Sequence, residues 1–153
     1  DDSPTCTLRK EIELLNQYLT IMNFRCNGRI NFCTEVPDSL LDAIIPRFIL
    51  QPLVENSIEH GFAANGQGGT IVLRAVRKDA DLILSVEDDG VGMDEEKIAA
   101  FNQAMASGAA ADGVGMRNVN RRVRLRCGPP YGISLQKKDP CGLKCMIRLP
   151  FVI

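Results

Sequence analysis

The chain has 153 residues, of which 45% are hydrophobic and 24% charged, with a formal net charge of −1. That is enough chain to bury one core, and the balance is that of a globular domain. The near-neutral charge argues against a broad basic face for nucleic acid, and no apolar run is long enough to span a bilayer.

The chain begins with Asp1 and carries no signal-peptide pattern; the expectation is a cytosolic fragment of a longer protein, with any membrane part upstream. The six cysteines are Cys6, Cys26, Cys33, Cys127, Cys141 and Cys145, and none forms a C-x-x-C pair. With His60 as the single histidine, a zinc site is not expected; the thiols read as reduced and mostly buried.

Asp1 to Thr7 reads as a frayed end. Leu8, Ile12, Leu15, Leu19 and Met22 recur at helical spacing, widened by Leu14, Tyr18 and Ile21, which predicts an apolar stripe along a helix. Asn27-Gly28 makes a turn. Ile30, Phe32, Thr34 and Val36 alternate as in a half-buried strand. Ile44 to His60 reads as one helix stopped by Gly61, with Pro52 expected to kink it.

Beyond a glycine-rich loop from Ala63 to Gly69, two apolar runs, Thr70 to Arg77 and Leu82 to Asp88, predict a hairpin. Asp94 to Met105 starts with acids and reads as a helix. Ala106 to Gly113 is almost all Ala, Gly and Ser and is expected to be mobile without a ligand. Gly115 opens a helix running to Cys127. Ile133 to Lys137 and Leu143 to Leu149 are the last strands. Strands mixed with helices predict an α/β two-layer sandwich, a mixed sheet of about five strands with helices on one face.

Three stretches carry chemistry. Asp88-Asp89-Gly90-Val91-Gly92-Met93 ends a buried strand with a carboxylate and two glycines. The carboxylate only accepts hydrogen bonds, which suits an exocyclic amine such as adenine N6. By itself D-x-G-x-G is weak and reads first as an ordinary acidic turn. Gly113-Val114-Gly115-Met116-Arg117-Asn118 lies where a loop becomes a helix, and free N–H groups there favour a phosphate. It is neither a dinucleotide fingerprint nor a Walker A sequence. The third stretch, Leu50-Gln51-Pro52-Leu53-Val54-Glu55-Asn56, precedes both, and Asn56 and His60 share a face at i, i+4.

In this order and spacing the three elements resemble the GHKL (Bergerat-fold) ATP-binding domain of sensor histidine kinases, and within it the LytS/YesM-type group, whose L-Q-P-L-V-E-N segment also ends in His-Gly. The likeness runs from about Leu8 to Leu149. It implies a Mg²⁺ ligand at Asn56, a hard oxygen donor. It implies an adenine acceptor at Asp88, with guanine rejected by its carbonyl. Gly90 and Gly92 would let the chain pass the nucleotide, Gly113, Gly115 and the following amides would hold phosphates, and Met93, Val114, Met116 and Asn118 would belong to the same ATP-binding set. Asp94 to Asp112 would form a lid over ATP.

His60 reads either as a nucleotide contact or as a helix C-terminal histidine satisfying carbonyls. It is not expected to be the phosphorylated residue. Arg117, Arg121, Arg122, Arg124 and Arg126 read as a solvated helix face, with Arg117 or Arg121 reaching a phosphate as the alternative. In gyrase-type relatives a glutamate one turn before the metal-binding Asn activates water; here Pro52 stands at that position. The resemblance therefore implies ATP presented for transfer to a histidine, in two-component signalling.

The implied division is an N-terminal helix at 1–26, leading from a dimerisation segment that carries the acceptor histidine, and a catalytic domain at 27–153. Implied partners are that dimerisation segment and a response regulator, in a membrane-attached homodimer. Two other readings share the fold: a nucleotide-responsive regulatory module without enzymatic activity, and an anti-sigma-type serine kinase.

Overall fold

A computed structural model describes residues 3–62, 68–108 and 115–153. A five-stranded mixed sheet forms the frame, built from β2 (Ile30–Glu35), β4 (Gly69–Lys78), β5 (Asp81–Asp88), β6 (Gly132–Lys137) and β7 (Leu143–Pro150). Their spatial order is β2-β4-β5-β7-β6; β2 runs parallel to β4, and every other neighbour is antiparallel. The two-layer expectation holds, and all five expected strands form.

Alternation decides which face is covered, because successive side chains point to opposite sides of a sheet. The register aligns Leu73, Val86, Cys145 and Leu135 in one cross-strand row and Ala75, Leu84, Ile147 and Ile133 in the next. All eight are buried. Onto them pack α1 (Leu8–Arg25), α2 (Gln51–Asn56), α3 (Glu95–Ser107) and α4 (Met116–Cys127), through Leu15, Leu53, Phe101 and Val119 among others. The opposite face carries Arg74, which pairs with both Glu35 and Glu87.

Thr7 caps α1, its side chain accepting from Lys10 N at 3.1 Å, as a Thr N-cap should. The buried face of that helix is Leu8, Glu11, Leu15 and Leu19, so an acid sits inside the apolar stripe. Its carboxylate is 3% exposed and accepts from Phe48 N at 3.0 Å and Ile49 N at 2.9 Å. Those two donors are why it can be buried. Phe48, one of the two donors, sits at φ 58, in the left-handed region.

Three expectations are corrected. Thr5–Thr7 is not frayed: it forms β1, paired antiparallel with β3 (Ile44–Pro46). Ile44 to His60 is not one helix, because β3 and the turn at Arg47 to Leu50 occupy its first half. Pro52 consequently falls within the first turn of α2, where no intrahelical N–H is needed, and it kinks nothing. The cysteines are all free, but only Cys145 is buried; Cys33 and Cys141 are exposed and the other three intermediate.

The expected lid also divides. Glu95–Ser107 is a packed helix, N-capped by Asp94 and burying Ile98, Phe101 and Met105. Residues 109–113 of the expected mobile stretch lie outside the described residues, as do Ala63 and residues 64–67 of the glycine-rich loop. Two asparagines hold α3 and α4 to β6, whose outer edge has no strand neighbour among the described residues. Asn102 takes both polar groups of Leu135, donating to its carbonyl at 2.9 Å and accepting from its N–H at 2.7 Å. Asn120 accepts from Ile133 N at 2.8 Å. An exposed ladder edge is thereby closed by side chains.

At the far end of the β4–β5 hairpin, Asp81 is 8% exposed and accepts from Tyr131 Oη at 2.8 Å and Arg148 Nε at 2.7 Å. The Tyr131 hydrogen bond, then the Arg148 hydrogen bond and charge, hold its carboxyl below the usual aspartate value. A group depressed in the folded state stabilises it above the unfolded pKa, about 3.9, and loses that contribution as pH falls through the folded value. Urea midpoints measured from pH 6 downward should show Asp81→Asn less stable at pH 6, with the gap closing as acid is added. An equal gap at every pH would contradict the assignment. Among the described residues no helix is long and apolar enough to cross a membrane.

Candidate nucleotide site

α2 ends in a wider turn, Ser57–Gly61, in which Phe62 N reaches back five residues to Ser57 O at 3.1 Å. Such π-type turns are rare and collect at functional sites. This one places Asn56 and His60 on a common cleft of about 410 Å³, facing Gly115, Met116 and Arg117 at the start of α4. Pro52, Glu55, Glu59 and Phe101 complete the lining.

The cleft is polar on one side. Gln51 Nε2 donates to Glu55 Oε1 at 2.9 Å, and Glu59 is exposed. Burial, then the charges of Glu55 and Glu59, push the Tyr18 phenol on α1 up to about 12. The acid pair thus makes this side favourable for a cation. The Asn56 amide has no hydrogen-bond partner among the described residues. Facing it across the cleft, the Arg117 guanidinium lies 5.6 Å from the Phe101 ring centroid, a cation–π distance that holds a charge without neutralising it.

Asp88 is built differently. Its carboxylate is 2% exposed and does not line the cleft. Oδ1 accepts from Gly90 N at 2.9 Å and Oδ2 from Ser57 Oγ at 2.8 Å. A carboxylate offers about four lone-pair directions, so protein donors leave some unused. The turn beyond it is fixed by close backbone passages. A Cβ at Gly90 would overlap the Gly61 backbone, and one at Gly92, where φ is +72, would meet Gly142 O at 2.9 Å. Val91 N donates to Gly61 O at 3.0 Å, and the exposed Cys141 thiol to Asp89 O at 3.3 Å. Gly90 and Gly92 therefore have a reason that the sequence reading did not supply: they let the D-x-G-x-G turn lie against Gly61 and the β6–β7 loop.

Of the residues expected from sequence, Asn56, His60, Gly115 and Met116 share the cleft, whereas Asp88 and Gly90 are buried beside it. Met93 is half-buried against the core. Asn118 is exposed and outside the lining. Gly113 and Val114 lie outside the described residues. The arginines separate: Arg117 lines the cleft, Arg121 does not, and Arg122 donates to the carbonyls of Arg47 and Phe48. Ser57 and Phe101 were not picked out from sequence as parts of the site, and Glu55 and Glu59 read there as solvated or structural residues, with a catalytic role as the lesser alternative.

A family model described as histidine kinase-, DNA gyrase B-, and HSP90-like ATPase matches residues 41–153. The chain belongs to this ATPase family. Among similar proteins, the sensor histidine kinase YesM of Bacillus subtilis is 28% identical over 144 residues, covering 94% of this chain and 24% of that protein. The sensor histidine kinase BtsS of Escherichia coli is 34% identical over 145 residues, with 95% and 24% covered. LytS of Staphylococcus aureus, a sensor histidine kinase/phosphatase, is 31% identical over 133 residues, with 86% and 23% covered. The chain spans about a quarter of the length of these relatives. The catalytic domain of histidine kinase ThkA has the same fold, with a TM-score of 0.70 at 19% identity and 95% and 94% of the two chains covered. The LytS/YesM likeness read from the motifs is thereby supported, and this ATPase-family domain is of the kind found in sensor histidine kinases.

Proposed function

We propose that the chain binds Mg·ATP in the cleft between α2 and α4 and presents it to a histidine on a separate dimerisation segment, to which α1 leads. The observation that carries this is the Asn56 amide, which lines the cleft beside two carboxylates and has no hydrogen-bond partner among the described residues. That donor set fits a hard, hydrated cation. Asp88, with lone pairs to spare and no donor of its own, fits the adenine amine. When bound, ATP supplies the phosphoryl group.

The chain's own groups do the holding. Asn56 and the acid pair position the cation. Arg117 and the amides at the start of α4 take phosphate charge. Met116 and Phe101 offer apolar surface that limits water. Pro52 lines the same cleft and carries no base to activate water, which favours transfer over hydrolysis. In phosphoryl transfer, positioning and charge stabilisation account for most of the acceleration. A response regulator, as in the complex of ThkA with its response regulator protein TrrA, would receive the group next, and the whole protein would sit at a membrane as a dimer.

The test mixes the chain with a histidine-bearing dimerisation domain and Mg·ATP. Acid-labile phosphohistidine on the acceptor is expected, and Asn56→Ala should lower its rate about 100-fold, the scale of losing one metal-positioning ligand. Acid-stable phosphoserine, or no transfer with bound nucleotide, would overturn the kinase reading.

A further inference from the structure

We infer that Ser57 is the positioning residue that orients Asp88 for the adenine amine; this rests on the reading of the cleft as an ATP site. Ser57 is 3% exposed, and its Oγ stands 2.8 Å from Asp88 Oδ2 and 3.5 Å from Leu53 O. A hydroxyl has one hydrogen to give. The shorter distance and the negative charge assign it to Asp88, because hydrogen bonds to an ionised acceptor are the stronger kind.

The serine cannot drift from this role. Its carbonyl accepts from Phe62 N at 3.1 Å, so the backbone at Ser57 is held by the π-type turn. Asp88 is held from the other side by Gly90 N at 2.9 Å. Gly61 brings its backbone so close that a Cβ there would lie 3.2 Å from Asp88 Oδ1. With one donor on each oxygen, the carboxylate plane is fixed before any ligand arrives. The lone pairs left over then point in set directions, and an amine meets them without first ordering the side chain. Such preorganisation raises affinity by removing an ordering cost. The same residue joins the two halves of the site, since Ser57 directly follows Asn56 in the chain. Metal-end and base-end contacts are thus referred to one turn.

The test is calorimetric titration with two non-hydrolysable nucleoside triphosphate analogues, one with adenine and one with purine lacking the 6-amino group. Titrations of the unsubstituted chain, Ser57→Ala and Ser57→Thr are compared, with thermal melts confirming that each is folded. Ser57→Ala should weaken the adenine analogue by roughly tenfold, the worth of one charge-assisted hydrogen bond. Binding of the desamino analogue should be the same in both, because the group that Asp88 is oriented to meet is missing. Ser57→Thr, which keeps the hydroxyl, should recover the adenine preference. Equal weakening of both analogues would make Ser57 a packing residue only and overturn the inference, as would no change in either. If the unsubstituted chain binds neither analogue, the ATP-site reading fails and the inference with it, an outcome separable from the other two.

Discussion

Replacing Gly142 by alanine is expected to cost more than about 4 kcal/mol of stability, in the exceptional tail for single substitutions. Gly142 has φ +104, and a Cβ built on it would overlap the Asp88 carbonyl oxygen and lie 3.0 Å from the Asp89 Cα. Neither neighbour can swing aside, because both are main chain at the end of the β5–β7 ladder, where Asp88 pairs with Leu143. Relief requires the strand ends to part. That movement carries Asp88 and Gly90 with it, so the proposed nucleotide site goes with the fold. Gly128→Ala is the control. Its φ is +76 and its ψ 172, a combination that side chains disfavour, but nothing lies within 4 Å of the added Cβ, which leaves only backbone strain of about 1–3 kcal/mol. Chemical denaturation of both variants separates the effects. A Gly142→Ala cost no larger than the Gly128→Ala cost would mean that the close passage does not constrain this loop.

Asp88→Asn is the substitution expected to weaken adenine-nucleotide binding most, by about 100-fold or roughly 2.7 kcal/mol. The carboxylate faces two protein donors, the N–H of Gly90 and the hydroxyl of Ser57. An amide has one acceptor oxygen and one NH₂. Whichever way it turns, its NH₂ meets the Gly90 N–H or the Ser57 hydroxyl. The hydroxyl can turn to make peace with it, and the Gly90 N–H cannot, so the oxygen goes to Gly90 and the NH₂ to Ser57. In the proposed mode of binding the NH₂ then also faces the arriving adenine amine, donor against donor. Ser57 Oγ takes one of the two NH₂ hydrogens, and the other is a buried donor without an acceptor, which costs about 1–3 kcal/mol, so stability falls as well. Titration at a temperature where the variant is folded reads the binding loss alone; an affinity within threefold of the unsubstituted chain would remove Asp88 from the adenine end.

What could be read from the chain divides along the distance between partners. The strands of the large sheet and α1 declare themselves locally, by alternation and by helical spacing. The three motifs are contiguous stretches, and two of them meet at one cleft through Asn56 and Gly115. Ile44–Pro46 was lost inside an expected helix because a short apolar run beside a helix has no period of its own. β1 was lost because its three residues are a strand only through pairing with β3. Glu11 sits at a helical position that patterning assigns to an apolar residue, and its partners are 37 and 38 residues away. Ser57 and Asp88 are 31 residues apart, and Asn102 and Leu135 are 33 apart. No local rule announces such pairs. Gly90 and Gly142 were visible as glycines, but the backbones that they admit were not.

The most direct measurement is calorimetric titration of the 153-residue chain with a non-hydrolysable ATP analogue, with and without Mg²⁺, beside the matching GTP analogue. An adenine-selective Mg·ATP site requires saturable binding of the adenine nucleotide, tightened by Mg²⁺, with that tightening lost in Asn56→Ala, and no binding of the guanine nucleotide. A folded chain that binds neither nucleotide at millimolar concentration, or binds both alike, would contradict it.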